Sequence, residues 1–264
     1  MWDQSDYLSS APLVIGGSGG SGTRVVARLS RRAGYDLGTD VNAAGDSVHL
    51  RMFYLDWINR FVASERRGRR VPPDQIRQMN DDFHRAIARH LAGCSNASTS
   101  NGGRWGWKAP RGIFLLPFMH SQFPKMKFVH VIRDGRDIAL SQNQSQLRKQ
   151  GAVLLTRRER WFNSDPLNSI LLWQRVNLSA ANYGETNLGK NYQLVRFEDI
   201  CGAPVETTAR LFGFLGAEAD AEQAAREEIS TPSSIGRWRA CPRALRAQFE
   251  RAAATSLHRF GYVD

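Results

Sequence analysis

The sequence predicts a single-domain α/β fold in which a mostly parallel central sheet is flanked by helices. Three observations carry this. Short apolar or β-branched runs alternate with amphipathic runs along the chain, the pattern of strands joined by crossover helices. The run Pro12-Leu13-Val14-Ile15 opens into a stretch from Gly16 to Gly22 made only of Gly and Ser, and a helical pattern follows at once. With 264 residues, 42% of them apolar and 23% charged, the chain can bury one large core and has an ordinary globular composition.

The elements follow in order. Pro12 to Ile15 reads as a short buried strand. Thr23 to Arg32 reads as a helix with Val25, Val26 and Leu29 on one side, ended near Gly34. Ser64 to Asp74, "SERRGRRVPPD", reads as a basic, proline-bearing loop. The following "DDFHRAIARHL" spaces Phe83, Ile87 and Leu91 as a helix does. Cys94 to Gly103 is a polar connection without periodicity. Lys127 to Ile132, "KFVHVI", is a central strand; "RDGRD" follows as a loop and "IALSQNQSQL" as a helix. Pro166 suits the first turn of a long helix. Tyr192 onward starts another strand, and "PVETTARLFGFLG", Pro204 to Gly216, is an amphipathic helix stopped by glycine. No repeat, coiled coil or linker divides the chain, so one domain is expected over 12–264, with 1–11 as an N-terminal extension.

Thirty-six Lys and Arg against 25 Asp and Glu give a net charge of +11. Such an excess suits an anionic partner, whether nucleotide, acidic glycan, nucleic acid or membrane surface. No helix-turn-helix, RNP or zinc-finger signature accompanies it, which argues against a nucleic-acid partner. No apolar run reaches the ~18 residues of a membrane span, and the first residues lack the basic and apolar regions of a secretory leader. The three cysteines, Cys94, Cys201 and Cys241, are far apart and form no CxxC pair. They predict neither a disulfide framework nor a zinc site, and a cytoplasmic location.

The glycine run admits three readings. Gly17, Gly19 and Gly22 satisfy G-x-G-x-x-G, with Asp40 18 residues beyond, as in a dinucleotide site, but a glycine-rich loop matches that pattern by composition alone. Gly17 to Gly22 also supplies the G-x-x-x-x-G frame of a nucleoside-triphosphate loop. The next residues are Thr23-Arg24, so the phosphate-reaching lysine is missing. The third reading keeps the physics and frees the ligand: backbone N–H groups at a helix N-terminus bind any tetrahedral anion.

"WKAPRGIFLLPFMHSQFPKMKFVHVIRDGRDIALS", Trp107 to Ser141, is more specific. Its apolar strand delivers Arg133 into a turn, with Ser141 eight residues later in the following helix, a pair able to grip a phosphate. Here the chain resembles the PAPS-dependent sulfotransferase family, nearest to its glycan and tyrosylprotein types and their bacterial relatives. "SGT" resembles the family's first loop, which cradles the 5′-phosphosulfate of the donor. "VIRDGRDIALS" resembles the strand-loop-helix that holds its 3′-phosphate. "LVRFEDI", "RLFGFLG", "SSIGRWR" and "HRFGY" follow in the family's order, so the resemblance covers residues 12 to 264. It implies a P-loop nucleotide-binding-like sheet, PAPS as co-substrate, no obligatory metal, and a hydroxyl-bearing acceptor, possibly anionic.

Carried onto this sequence, the resemblance implies that Gly19, Gly20, Ser21, Gly22, Thr23 and Arg24 hold the phosphosulfate. Arg133, Ser141 and Arg237 approach the 3′-phosphate, with Trp238 packing beside them. The family places Lys or Arg just before S-G-T, where this chain has Gly20. Lys108 in "WKAPR" is the first candidate to supply that charge, and Arg24 the second. For the general base, Gly38-Thr39-Asp40 resembles the family's G-x-E element with Asp for Glu. Asp40 stands first, Asp46 second and His49 third. The implied function is transfer of a sulfuryl group from PAPS to an acceptor hydroxyl. The alternatives are a catalytically impaired PAPS- or PAP-binding relative, a basic nucleic-acid-binding protein and, last, an NAD-dependent enzyme.

Overall fold

Four strands form one sheet: β1 Leu13–Gly17, β2 Gly106–Lys108, β3 Lys127–Ile132 and β4 Tyr192–Arg196, in the order β2-β1-β3-β4. Every neighbouring pair is parallel, with Ile15 opposite Lys108 and Val129, and Ile132 opposite Arg196. The computed structural model describes residues 10–69, 71–94 and 103–263. Most of the expected 1–11 extension, Arg70 of the basic loop and most of the polar connection 94–103 lie outside the described residues.

Alternation along the strands divides the core, because successive side chains point to opposite faces. Val14 and Phe128 join Phe53, Trp57, Phe83 and Trp107 on one face. Leu13, Ile15, Val129 and Val131 meet Val26, Leu29, Leu211 and Phe212 on the other. The first face is covered by α2 (Val48–Arg66), α3 (Pro73–Ala92), α4 (Leu116–Gln122), α6 (Ser145–Leu154) and α8 (Asp165–Tyr183); the second by α1 (Thr23–Arg32), α10 (Pro204–Leu215) and α11 (Ala221–Glu228). A third cluster joins Ile132, Ile138 and Trp173 to Phe249, Phe260 and Tyr262. It seats the last helix, α12 (Arg243–Arg259), against α8. Short helices α5 (Gly135–Ala139), α7 (Arg157–Phe162) and α9 (Phe197–Gly202) complete the chain.

β2 and α12 form where the sequence expectation assigns no element, and four further differences bear on how the chain reaches the site. β1 runs two residues further, into the glycine stretch. α2 is a full helix started by Ser47, whose Oγ accepts from the Leu50 N–H, in a stretch to which the sequence expectation assigns no element. α3 begins at Pro73, so the prolines of the basic loop start that helix. The expected helix 138–147 is broken: α5 stops at Ala139 and α6 starts at Ser145, so Ser141 sits in the turn between them. The Gln144 side chain causes the break, donating to the carbonyls of Ile138 (3.1 Å) and Ser141 (2.6 Å) that a continuous helix would use itself.

Parallel pairing puts all four carboxyl ends on one edge. The glycine loop, the 3₁₀ turn Pro110–Leu115, RDGRD and α9 leave the sheet there. In an open parallel sheet, ligands bind beyond that edge.

Candidate active site

The glycine loop is built to leave donors free. Gly20 and Gly22 have φ of 88° and 90°, the left-handed region in which any L side chain is strained. At Gly22 a Cβ would also overlap the Phe197 ring. α1 therefore starts at Thr23 with no side-chain cap and no acidic residue in its first turn. The Val25 N–H donates to the Gly22 carbonyl, so the N–H groups of Thr23 and Arg24 and the positive end of the dipole are left at the loop. Ser21 is fully buried, and its Oγ has no hydrogen-bond partner among the described residues. Gly20, where the resemblance expects a Lys or Arg, holds a backbone in which such a side chain would be strained.

That loop forms one wall of a cleft of about 470 Å³, lined by Gly19, Gly20, Gly22, Thr23 and Arg24 and, opposite, by Asp46, Lys108 and Arg111. Phe197, Ser230 and Pro232 also line it. Lys108 ends β2 and is almost fully buried; its Nζ donates to Asp46 Oδ1 at 2.5 Å and to the Ala44 carbonyl at 2.9 Å. Burial pulls its ammonium below the ordinary lysine range; Asp46 opposes that pull and Arg24 adds to it. Asp46 is held from both sides: its N–H donates to Asn42 Oδ1, and the next residue, Ser47, donates its N–H to the Lys108 carbonyl.

The other two base candidates lie elsewhere. Asp40 is half exposed and pairs with His49 Nε2 at 2.6 Å, and neither residue lines the cleft. Only Asp46, of the three, faces it.

RDGRD is a cross-braced buried knot. Arg133 Nη2 donates to Asp137 Oδ2 at 3.0 Å, and Arg136 Nη2 to Asp134 Oδ2 at 2.8 Å. Asp137 also accepts from the N–H groups of Gly236 and Trp238, so it fastens the GRW segment to the end of β3. Arg133 reaches the Ser234 carbonyl as well, yet its Nε is buried without a partner. Arg237 donates to the Ser234 and Leu140 carbonyls, which brings its guanidinium beside the turn carrying Ser141. Trp238 is buried with the Arg136 guanidinium 3.4 Å from its ring centroid.

Two arginine-rich stretches, the end of α2 and α7, do not line this cleft. Arg66 donates to the Val153 carbonyl, and Arg157 and Arg158 share a surface hollow with Trp161 and Phe162. A larger groove, about 680 Å³, runs along the second half of α8 and carries no residue of the glycine loop or of the Lys108–Asp46 pair. Among the described residues no group of three or more His, Cys, Asp or Glu is placed to hold a metal ion, and no helix is long and apolar enough to cross a membrane.

Comparison with known proteins agrees with this architecture. Mouse carbohydrate sulfotransferase 5 is 26% identical over 111 residues, 39% of this chain and 28% of that protein. The chain thus spans well under half of its relative's length. Sulfotransferase STF9 from Mycobacterium avium superposes with a TM-score of 0.53 at 13% identity, over 97% of this chain and 78% of that one. The sulfotransferase domain of the Synechococcus PCC 7002 olefin synthase gives 0.53 at 15% identity, over 97% and 98%. These likenesses show the fold. A model described as "Sulfotransferase family" matches residues 12–221, from the uncapped glycine loop through the Lys108–Asp46 pair and the RDGRD knot to α11, and on that match the chain belongs to the sulfotransferase family.

Proposed function

We propose that the protein transfers a sulfuryl group from PAPS to an acceptor hydroxyl and releases PAP, with residues 12–264 as the transferring unit. The observation that carries the reading is the pairing of two walls across one cleft. One is an uncapped helix start behind the glycine loop; the other is a buried lysine held against a carboxylate. The first fits a phosphosulfate, the second its reacting end.

In this reading the acceptor oxygen bonds to sulfur while the bond from sulfur to the phosphate oxygen breaks, and the phosphate leaves with the electron pair. Asp46 takes the hydroxyl proton. Lys108, with the N–H groups of the loop and α1, stabilises the charge that grows on the leaving oxygens. Arg24, on the same wall, adds to the field. Lys108 thereby supplies the charge that Gly20 cannot. Arg133 and Arg237, flanking Ser141, take the 3′-phosphate. The three unpaired thiols fit a reducing compartment, and we place the protein in the cytoplasm.

A calorimetric titration with PAP, run beside ATP and NAD at two salt concentrations, tests the nucleotide. Selective, saturable PAP binding is the expected result. Binding of NAD instead, or of nucleic acid with steep salt dependence and indifference to PAP, overturns the reading. Transfer of labelled sulfate from PAPS to a panel of alcohols then separates an active enzyme from an impaired relative.

A further inference from the structure

Lys108 and Asp46 stand at the ends of two elements that one further side chain joins. Asp46 immediately precedes Ser47, the residue that starts α2, and Lys108 ends β2 two residues after Gly106. His90, in the last turn of α3, lies between them. Its Nε2 donates to the Gly106 carbonyl at 2.8 Å, and its Nδ1 accepts from the Ser47 hydroxyl at 3.0 Å. A carbonyl can only accept, so the proton sits on Nε2 and Nδ1 is left as the acceptor. His90 and Ser47 are both fully buried. Burial lowers the proton affinity of the ring, which keeps it in this neutral, two-armed form.

The chain around the ring is shaped to it. Gly38 has a φ of 72°, and a Cβ there would come within 2.6 Å of His90 Cε1, so the segment leading to Asp46 passes directly against the imidazole. Thr39 closes on the same end of α3, its N–H and its hydroxyl both donating to the Gly93 carbonyl at 3.0 Å. β2 is an edge strand, and an edge leaves every second carbonyl without a partner in the sheet. Two such carbonyls, Gly106 and Lys108, are taken up by this arrangement. The Lys108 carbonyl accepts from the Ser47 N–H at 3.0 Å, and the Gly106 carbonyl accepts from His90. Ser47 is thereby fastened to β2 twice, once directly and once through the imidazole. One bond alone would act as a hinge; two fix the angle at which α2 starts.

We propose that His90 is the positioning residue of the reacting pair: by holding the Ser47 hydroxyl and the Gly106 carbonyl at once, it sets where the Asp46 carboxylate stands against Lys108 Nζ. The proposal rests on the sulfuryl-transfer reading and adds to it a residue outside the cleft. His90 touches neither substrate nor the transferring group; it acts through Ser47 on its neighbour Asp46. A shift of about 1 Å in such a pair is enough to cost about 10²-fold in transfer.

The test reads the pair first without turnover and then with it. Asp46 raises the proton affinity of Lys108, so the Lys108 pKa, followed by heteronuclear NMR, reports how closely the carboxylate is held. His90→Phe fills the space of the ring and keeps neither arm. It is expected to lower that pKa towards the value in Asp46→Asn, and Ser47→Ala to do the same; an unchanged or raised value overturns the proposal. Should His90→Phe fail to fold, Ser47→Ala carries the same decision. Turnover is then measured with PAPS and whichever alcohol of the panel wild type sulfates fastest. His90→Phe should lower kcat about 10²-fold and leave the KM for PAPS within about twofold. Introduced into Asp46→Asn it should cost less than about threefold, because no carboxylate is left to misplace. A histidine that only braces the core costs the same factor in both backgrounds, and that result overturns the proposal. If wild type transfers no sulfuryl group, the function reading falls instead, and the Lys108 pKa still decides the role of His90.

Discussion

Asn177 Nδ2 donates to Ser18 Oγ at 3.0 Å, across 159 residues of sequence, and so ties the middle of α8 to the entrance of the glycine loop. The same amide group accepts from His130 Nε2 at 2.8 Å, and His130 Nδ1 accepts from the Tyr192 hydroxyl at 2.7 Å. A buried chain of polar groups thus runs from β4 through β3 and α8 to the loop. Its polarity assigns the tautomer: Nε2 carries the proton, because Asn177 Oδ1 can only accept.

Asn177→Leu removes both ends of that amide. It leaves the His130 N–H and the Ser18 hydroxyl without partners, at a cost of about 1–3 kcal/mol for the buried donor. Urea unfolding should show that loss, and PAP affinity should fall with it because the loop entrance is no longer fixed. Stability loss with unchanged PAP affinity would mean that the chain braces only the core.

His130 gives a pH signature. Complete burial lowers its pKa to about 4, Asn177 opposing, against about 6.5 in an unfolded chain. A depressed folded value means the unfolded state binds the extra proton first. The contribution is therefore fully present above pH ~6.5 and is lost as pH falls towards 4, amounting to about 3 kcal/mol in all. Unfolding midpoints of wild type and His130→Gln between pH 7.5 and 4.5 should converge as the pH drops. Parallel curves would show that His130 does not titrate with unfolding.

Lys108 and Asp46 separate charge from proton transfer. Lys108→Met should cut transfer about 10²–10³-fold, the loss of a preorganised donor, and leave PAP binding largely intact. Asp46→Asn should cut it about 10²–10⁴-fold through the missing base. Their pH profiles differ in a defined direction. Burial already holds the Lys108 ammonium below the ordinary lysine range and Asp46 raises it. Removing that carboxylate lowers the Lys108 pKa further, so the alkaline limb of the residual activity in Asp46→Asn moves to lower pH. A limb that stays put, or moves up, removes Lys108 from the reacting end.

How much of this was legible follows contact distance. β1, the glycine loop and α1 are written in adjacent residues, and so is the strand before RDGRD, because each is set by local composition. α2 left a signal too: Ser47 followed by Leu50, Phe53, Tyr54, Trp57 and Ile58 has helical spacing and a cap. β2 is three residues long, too short for any period, and exists because β1 pairs with it. The choice among Asp40, Asp46 and His49 could not be read locally. The proposal of Asp46 rests on its contact with Lys108, 62 residues away, while Asp40 pairs with His49. The break at Ser141 was hidden for a similar reason, since Gln144 is an ordinary helix residue until its amide caps its neighbours.

Asp137 and Arg133 offer the last separation, between holding the fold and holding the nucleotide. Asp137 is 1% exposed and accepts from Arg133, Gly236 and Trp238. Asp137→Asn leaves Arg133 buried without its counter-charge, a loss of about 3–5 kcal/mol that thermal or urea unfolding would read directly. The carboxylate also opposes any phosphate brought to Arg133. If the 3′-phosphate docks there, the folded Asn variant binds PAP at least as tightly as wild type, and saturating PAP recovers part of the lost stability. Arg133→Ala should do the reverse, a sharp fall in PAP affinity with no recovery by ligand. Should both variants lose PAP binding in parallel, Arg133 serves only to fasten the GRW segment, and the 3′-phosphate belongs to Arg237 alone.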